Sequence, residues 1–308
     1  MQIFSKVAYS LIFVLGTARN GLVIFITGFR MKKTVHMVWI LNLAIADFTF
    51  SFFLLFSTVF SSLEFHWPFG EDVCKLRHVM VFLSLFASVY FLTVISIDRC
   101  IATWCPVWAP NHRTPQLAFL VVLGIWIVSL LLCSLKLYFT KSFVFGWENK
   151  TYCILHYDFH FARERGDPYV WGSTQFVFGF IIPFIVIAFC YGAIVVRLRR
   201  DRSSQSSRPF KVITAVIVAF LVCWFPLHFF CIFYVKANRP ETRGTLTTAL
   251  PLSPSLAYFN SCLNPILYFC IGYNFKEKLR CSLLSALANA FTEESNLSNI
   301  KTSDRPSA

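Results

Sequence analysis

Met37–Ser62 reads MVWILNLAIADFTFSFFLLFSTVFSS, an apolar run broken near its middle by one ionisable side chain, Asp47. A bilayer core about 30 Å thick requires roughly 20 consecutive, mostly apolar residues in a helix. This run is long enough to cross. A carboxylate inside hydrocarbon is costly, so one that is kept there is a candidate for function. Working outward, the same pattern of a long apolar run holding a few enclosed polar groups recurs along the chain.

Six further stretches meet the length requirement: Val7–Phe29, Val73–Ile97, Leu117–Phe139, Tyr169–Val196, Phe210–Val235 and Leu246–Ile271. The predicted fold class is therefore an all-α membrane protein, a seven-transmembrane helix bundle. Composition agrees, with 56% hydrophobic and only 14% charged residues in 308, and Phe occurring 36 times. Soluble domains carry about 25% charged residues, and a soluble chain could not hide this much apolar surface. The net charge of +13 lies between apolar runs rather than on one basic face, which argues against nucleic acid as a partner. Val7–Phe29 is too long for the core of a cleavable signal and has no small-residue cleavage site after it, so it reads as a span that also directs insertion. The lack of an internal repeat disfavours a transporter built from inverted halves.

Lys and Arg concentrate in the pieces that are cytoplasmic if the amino terminus is outside, most densely at Arg197, Arg199, Arg200, Arg202, Arg208 and Lys211. The predicted topology thus has an external amino terminus and a cytoplasmic carboxyl terminus. Residues 1–271 form the bundle and 272–308 a surface helix and tail. Phe275, Leu279 and Leu283 recur every four residues, so they share the face of a short amphipathic helix whose Lys and Arg would meet lipid head groups. Cys281 after that face is a candidate for palmitoylation. Cys74 and Cys153 both fall on the oxidising side, where a disulfide is expected. Asn149-Lys150-Thr151 is an external glycosylation sequon, whereas Asn296-Leu297-Ser298 is cytoplasmic and should stay bare.

Within the spans, Asp47 is joined by Asn20, Ser88, Asn260, Ser261 and Asn264. A carboxylate with hydroxyl and amide oxygens suits a small hard cation such as Na⁺, with Asp47 and Ser88 as ligands. The same groups would equally satisfy one another across helix interfaces. Asp98-Arg99-Cys100 closes the third span, where the adjacent charges are expected to pair and hold Arg99 inward. Pro183, Pro226 and Pro265 each remove a helical hydrogen bond and predict kinks. A kinked helix can pivot, as a switch requires.

Asn20, Leu43-Ala44-Ile45-Ala46-Asp47, Cys74, Asp98-Arg99-Cys100, Trp126, Cys153, Pro183 with Tyr191, Phe220-Leu221-Val222-Cys223-Trp224-Phe225-Pro226 and Asn264-Pro265-Ile266-Leu267-Tyr268 occur in order, one set per span. Together they resemble the rhodopsin-like G-protein-coupled receptors over essentially the whole chain. Within that class, Trp67-Pro68-Phe69-Gly70, Pro106-Val107-Trp108, Asn111-His112-Arg113-Thr114, Ser206-Ser207-Arg208-Pro209 and Asn260-Ser261-Cys262-Leu263-Asn264-Pro265 are similar to the formyl peptide receptors. The resemblance implies a chemoattractant or chemosensory receptor for an extracellular peptide-like ligand. Its partners would be heterotrimeric G proteins of the inhibitory class, and arrestin. It implies a sodium pocket at Asp47, Ser88, Asn260, Ser261 and Asn264, and a coupling switch at Asp98, Arg99, Tyr191, Asn264, Pro265 and Tyr268. It also implies ligand contacts at Phe82, Trp171, Gln175, Trp224 and Tyr258; aromatic residues at such positions would otherwise be plain packing.

Departures from that family are informative. Phe82, Trp171 and Gln175 stand where formyl peptide receptors carry an acid and two Arg, so formylated peptides are expected to be poor ligands and a vomeronasal-type relative fits better. Arg19 replaces a Gly beside Asn20, so it either pairs with Asp47 or reaches from lipid to the interface. Leu135 replaces a Pro late in the fourth span. The few residues before the first span leave open a non-signalling decoy that takes up ligand, or a truncated gene product. Catalysis is not expected, since no nucleophile elbow, zinc helix or phosphate loop is found. A Schiff-base Lys for light sensing and an outer acid in the third span for amines are missing too.

Overall fold

The computed structural model describes residues 2–64, 66–139, 141–147, 150–156, 175–200, 218–229 and 256–264. It is a bundle of helices in which α1 (Gln2–Phe25), α2 (Val35–Ser62), α3 (Gly70–Trp104) and α5 (Pro115–Phe139) are the first four spans, with the short α4 (Ala109–His112) joining the last two of these. The fifth span is α6 (Ile182–Arg200). Helices α7 (Val218–Phe229) and α8 (residues 256–264) lie in the sixth and seventh predicted spans. Five of the described helices are long and apolar enough to cross a membrane. The surface helix and tail at 272–308, with Cys281, lie outside the described residues, as do Asn149, Trp171, Pro265 and Tyr268.

Sequence explains where the helices start. The Thr34 hydroxyl accepts from the Met37 N–H at 3.4 Å, capping α2. The Thr114 hydroxyl does the same for the Leu117 N–H at 3.3 Å, with Pro115 at the first position of α5, where its missing N–H costs nothing. Gly70 enters α3 at φ 77°, a conformation open to glycine, and Glu71 and Asp72 place negative charge on the first turn. Helix α3 runs past the Ile97 boundary read from hydropathy, because its polar inner end is hydrogen-bonded within the protein and need not stop at the apolar edge.

Two π-helical turns adjust the bundle. One, Ile26–Arg30, ends the first span. The other, Val177–Ile181, directly precedes Pro183. The π turn widens the helix just before the proline that removes a donor from it.

A core of Leu43, Ala44, Ala87, Phe91, Ile187, Phe220 and Ala257 runs between α2, α3, α6, α7 and α8. Small residues let α1 and α2 approach: a side-chain carbon at Gly16 would collide with the Ser51 hydroxyl. The outward surfaces are apolar, with Leu120, Leu123, Leu131 and Phe189 exposed. In water these would be a large apolar patch; against lipid they are solvated.

The sequence reading did not foresee an antiparallel hairpin, β1 (Lys141–Trp147) and β2 (Lys150–His156), in the second external loop, with Val144 opposite Cys153. It caps the outer end of the all-helical bundle and is joined to α3 by the Cys74–Cys153 disulfide.

Candidate functional site

Three groups of polar side chains lie along the bundle. The central one surrounds Asp47, which is fully buried. Ser88 on α3 donates its hydroxyl to one carboxylate oxygen at 2.7 Å, and Asn264 on α8 donates Nδ2 to the other at 2.7 Å. Asp47 therefore ties α2, α3 and α8 at mid-depth. The Ser261 side chain also lies within interaction range of Asp47. Asn20 on α1 donates Nδ2 to the backbone carbonyls of Gly16 at 2.9 Å and Ser261 at 3.1 Å, adding α1 to the network. Asn260 is buried beside it. Three sheltered oxygens, Asn20 Oδ1, Asn264 Oδ1 and Ser51 Oγ, have no hydrogen-bond partner. The side chains thus bond across helix interfaces.

Arg19 takes no part. It sits on the exposed side of α1, and no ion pair joins it to Asp47 among the described residues. The expected pairing of Arg19 with Asp47 is thereby corrected: Arg19 is exposed and turned away from the carboxylate. Adjacent residues on a helix diverge, so Asn20 points inward while Arg19 points out.

The same geometry corrects the expected Asp98–Arg99 pair. Residues i and i+1 do not face each other on a helix. Asp98 instead accepts two hydrogen bonds from Arg113, from Nε at 2.8 Å and Nη2 at 2.5 Å, with side-chain exposures of 8% and 26%. Forked recognition of this kind is the strongest geometry open to a guanidinium and carboxylate. Arg99 is half-buried and donates from Nη2 to His36 Nε2 on α2 at 2.6 Å. Arg cannot accept, so the ring nitrogen facing it is unprotonated. Tyr191 on α6 is buried and lies within electrostatic reach of Arg99. Sequence reasoning missed His36 as a partner: it lies one residue before the Met37 boundary read from hydropathy, whereas the helix begins at Val35 and takes it in.

Four of the expected ligand positions, Phe82, Gln175, Trp224 and Tyr258, are described. Phe82 and Tyr258 are half-buried, and Tyr258 packs on Phe50 at 4.9 Å and Tyr9 at 5.9 Å. Gln175 and Trp224 border a stack in which Trp224 and His228 are 6.1 Å apart, His228 and Phe180 5.3 Å, and His228 and Phe176 5.9 Å. A side-chain carbon at Gly179 would lie in ordinary contact with Phe86, His228 and Gln175, at 3.4, 3.7 and 3.9 Å. His228, buried among these rings, was not singled out from the sequence, since one imidazole in an aromatic run gives no periodic signal.

The rim is held by backbone. The Trp67 N–H donates to the Thr151 carbonyl at 2.7 Å, and the Thr151 hydroxyl donates back to the Trp67 carbonyl at 2.5 Å. Trp67 is buried among Phe56, Phe60 and Phe69. Hairpin, disulfide and the 66–69 segment thus form one unit over α3.

Comparison with known proteins agrees with this architecture. The family described as 7 transmembrane receptor (rhodopsin family) matches residues 19–268. N-formyl peptide receptor 3 of Homo sapiens is 40% identical, the match covering 100% of this chain and 90% of that protein. The Macaca mulatta counterpart is 41% identical over 95% of this chain and 87% of its own length. Chemerin-like receptor 1 of Rattus norvegicus is 37% identical over 97% and 83%.

Proposed function

The chain belongs to the rhodopsin family of seven-transmembrane receptors, and from that premise we propose that it senses an extracellular peptide-like ligand and activates inhibitory-class heterotrimeric G proteins. As a member of that family it is a multi-pass membrane receptor and not an enzyme. The observation that carries the proposal is Asp47, bonded at once to Ser88 on α3 and Asn264 on α8. Helices joined through one buried carboxylate cannot shift independently, so a movement begun at the outer end is felt at the inner end of α3. There Arg99, held by His36, is the group whose release would offer a cation to a G protein.

Ligand contacts are assigned to Phe82, Gln175, Trp224 and Tyr258, with Trp171 on sequence grounds. Relatives named for formyl peptides and chemerin support a peptide-like ligand. The amino terminus is external and the carboxyl terminus cytoplasmic, where residues 272–308 would meet lipid and arrestin. Sodium fits the central cluster: Asp47, Ser88 and Asn264 supply hard oxygen donors, and the sheltered acceptors would otherwise stay unpaired. A bound cation would neutralise Asp47 and favour the resting arrangement.

The test is G-protein exchange in cells displaying the chain, with formylated and unformylated peptides and an inhibitory-class readout. Exchange driven by peptide and lost in Arg99→Ala is the expected result. Peptide uptake with no exchange would overturn it in favour of a decoy.

A further inference from the structure

Arg77 lies on α3 one turn inside the disulfide. Its Nη1 faces Cys153 Sγ at 3.6 Å, and its guanidinium carbon sits 5.7 Å from the centre of the Trp67 ring. Sulfur is a weak acceptor and a ring face is a diffuse one. The Nε atom is sheltered from solvent and has no hydrogen-bond partner. No carboxylate pairs with Arg77 among the described residues; the ion pairs there are Lys75–Glu71 and Arg113–Asp98. Arg77 is half-buried; a guanidinium whose Nε is shut off from water without a counter-charge is destabilising, and within a membrane protein such a group marks a binding function.

Its surroundings say what would bind. The phenols of Tyr9 on α1 and Tyr258 on α8 are within electrostatic reach of Arg77, and Tyr258 is one of the ligand positions assigned above. Phe82, one turn deeper on α3, and Gln175 are uncharged. Among the described residues Arg77 is thus a cation that the outer end holds without a carboxylate, beside the Trp67 ring and below the disulfide. We propose that Arg77 is the anchoring group of the ligand site and takes a carboxylate of the ligand by a forked pair of hydrogen bonds, with the neighbouring aromatic rings receiving an apolar side chain. The inference rests on reading the outer end as a ligand site, and it specifies an acid where that reading named only a peptide.

The test uses purified receptor and its thermal stability, so that it does not depend on signalling. The probes are N-acetylphenylalanine, its amide, and N-acetylaspartylphenylalanine amide, whose acid is on a side chain. The free acid should bind about tenfold more tightly than its amide, as expected for one charge-assisted forked pair. The aspartyl probe, if equally selective, would assign a side-chain acid rather than a chain terminus. Arg77→Met should bring the acid-to-amide ratio to about one, and Arg77→Lys, which keeps charge but not the fork, to about threefold. Should Arg77→Met fail to fold, wild type and Arg77→Lys decide alone. A wild-type ratio near one, no response to any acid, or a ratio unchanged in Arg77→Lys would each overturn the proposal. Acid-selective stabilisation without peptide-driven exchange would leave Arg77 in place and sink the signalling reading instead.

Discussion

The two ends of α3 treat charge in opposite ways. At the inner end Asp98 is enclosed and gripped by both arms of Arg113, and Arg99 is held by His36. At the outer end, among the described residues, Arg77 meets a disulfide sulfur and a ring face and pairs with no carboxylate. Nearly the same helix geometry thus gives an inner end whose charges are matched within the protein and an outer end where Lys75 pairs with Glu71 but the inward-facing Arg77 is left for something else. A matched set has a defined resting state that must be broken to act. An unmatched charge has a resting state that improves when a partner arrives. Between them Asp47 fastens α3, through Ser88, to α2 and α8, so a change at one end is not confined there.

Removing the inner cation should have the largest effect. Arg99→Ala is expected to reduce ligand-driven exchange by about 100-fold or more, on the order of the loss when a buried charged hydrogen bond is deleted from a coupled state. Surface expression should be largely intact, because His36 is left without charge to strand. Normal signalling from this variant would mean that the inner end is not the output. Next in size, Cys153→Ser removes the cross-link between the hairpin and α3, which closes a separation of 79 residues. A loss of about 2–4 kcal/mol is expected, read as reduced surface display and a lower melting temperature. Because Arg77 also loses its sulfur contact, acid-probe binding should weaken in the protein that does reach the surface.

Which parts were legible beforehand follows from how each signal arises. Asp47, Ser88 and Asn264 stood out because a polar residue inside an apolar run is visible by contrast, and their meeting needs only that each helix turn its polar face inward. The seven apolar stretches are equally plain from length alone. Charges at helix ends carry no such contrast. The text shows Asp98 and Arg99 as neighbours, yet the helix turns them apart, and the partners that replace the expected pair are 15 residues away at Arg113 and 63 away at His36. Arg77 was passed over because it lies close to the expected outer boundary, where a basic residue is ordinary. The hairpin was hidden in an interhelical loop, since its pairing is fixed by docking on Trp67 and the disulfide rather than by a strong alternation of its own.

The matched inner end can be taken apart in steps. Arg113→Gln leaves Asp98 buried with its forked partner gone, which should cost about 1–3 kcal/mol of stability. Combining it with Asp98→Asn removes the charge that was stranded, so the double variant should be more stable than Arg113→Gln alone. That ordering in melting temperature is what a true pair requires; two additive losses would show that Asp98 and Arg113 do not depend on one another.

The smallest expected effect isolates the contact that holds Arg99. His36→Ala removes one hydrogen bond at the inner end and leaves Asp98 and Arg113 paired. A single bond to a charged group has a net worth of about 1.5 kcal/mol, close to a tenfold shift in an equilibrium. Part of this will be recovered by water at the half-buried Arg99, so a rise in ligand-free exchange of about threefold is expected. The direction matters more than the size. If His36 restrains Arg99, its loss raises basal exchange while leaving the response to saturating ligand unchanged. If His36 instead positions Arg99 for the G protein, the saturated response falls. The first outcome keeps the inner end as a matched, resting lock; the second would make it an active-state contact, and the contrast between the two ends of α3 would then be one of site, with no difference in readiness.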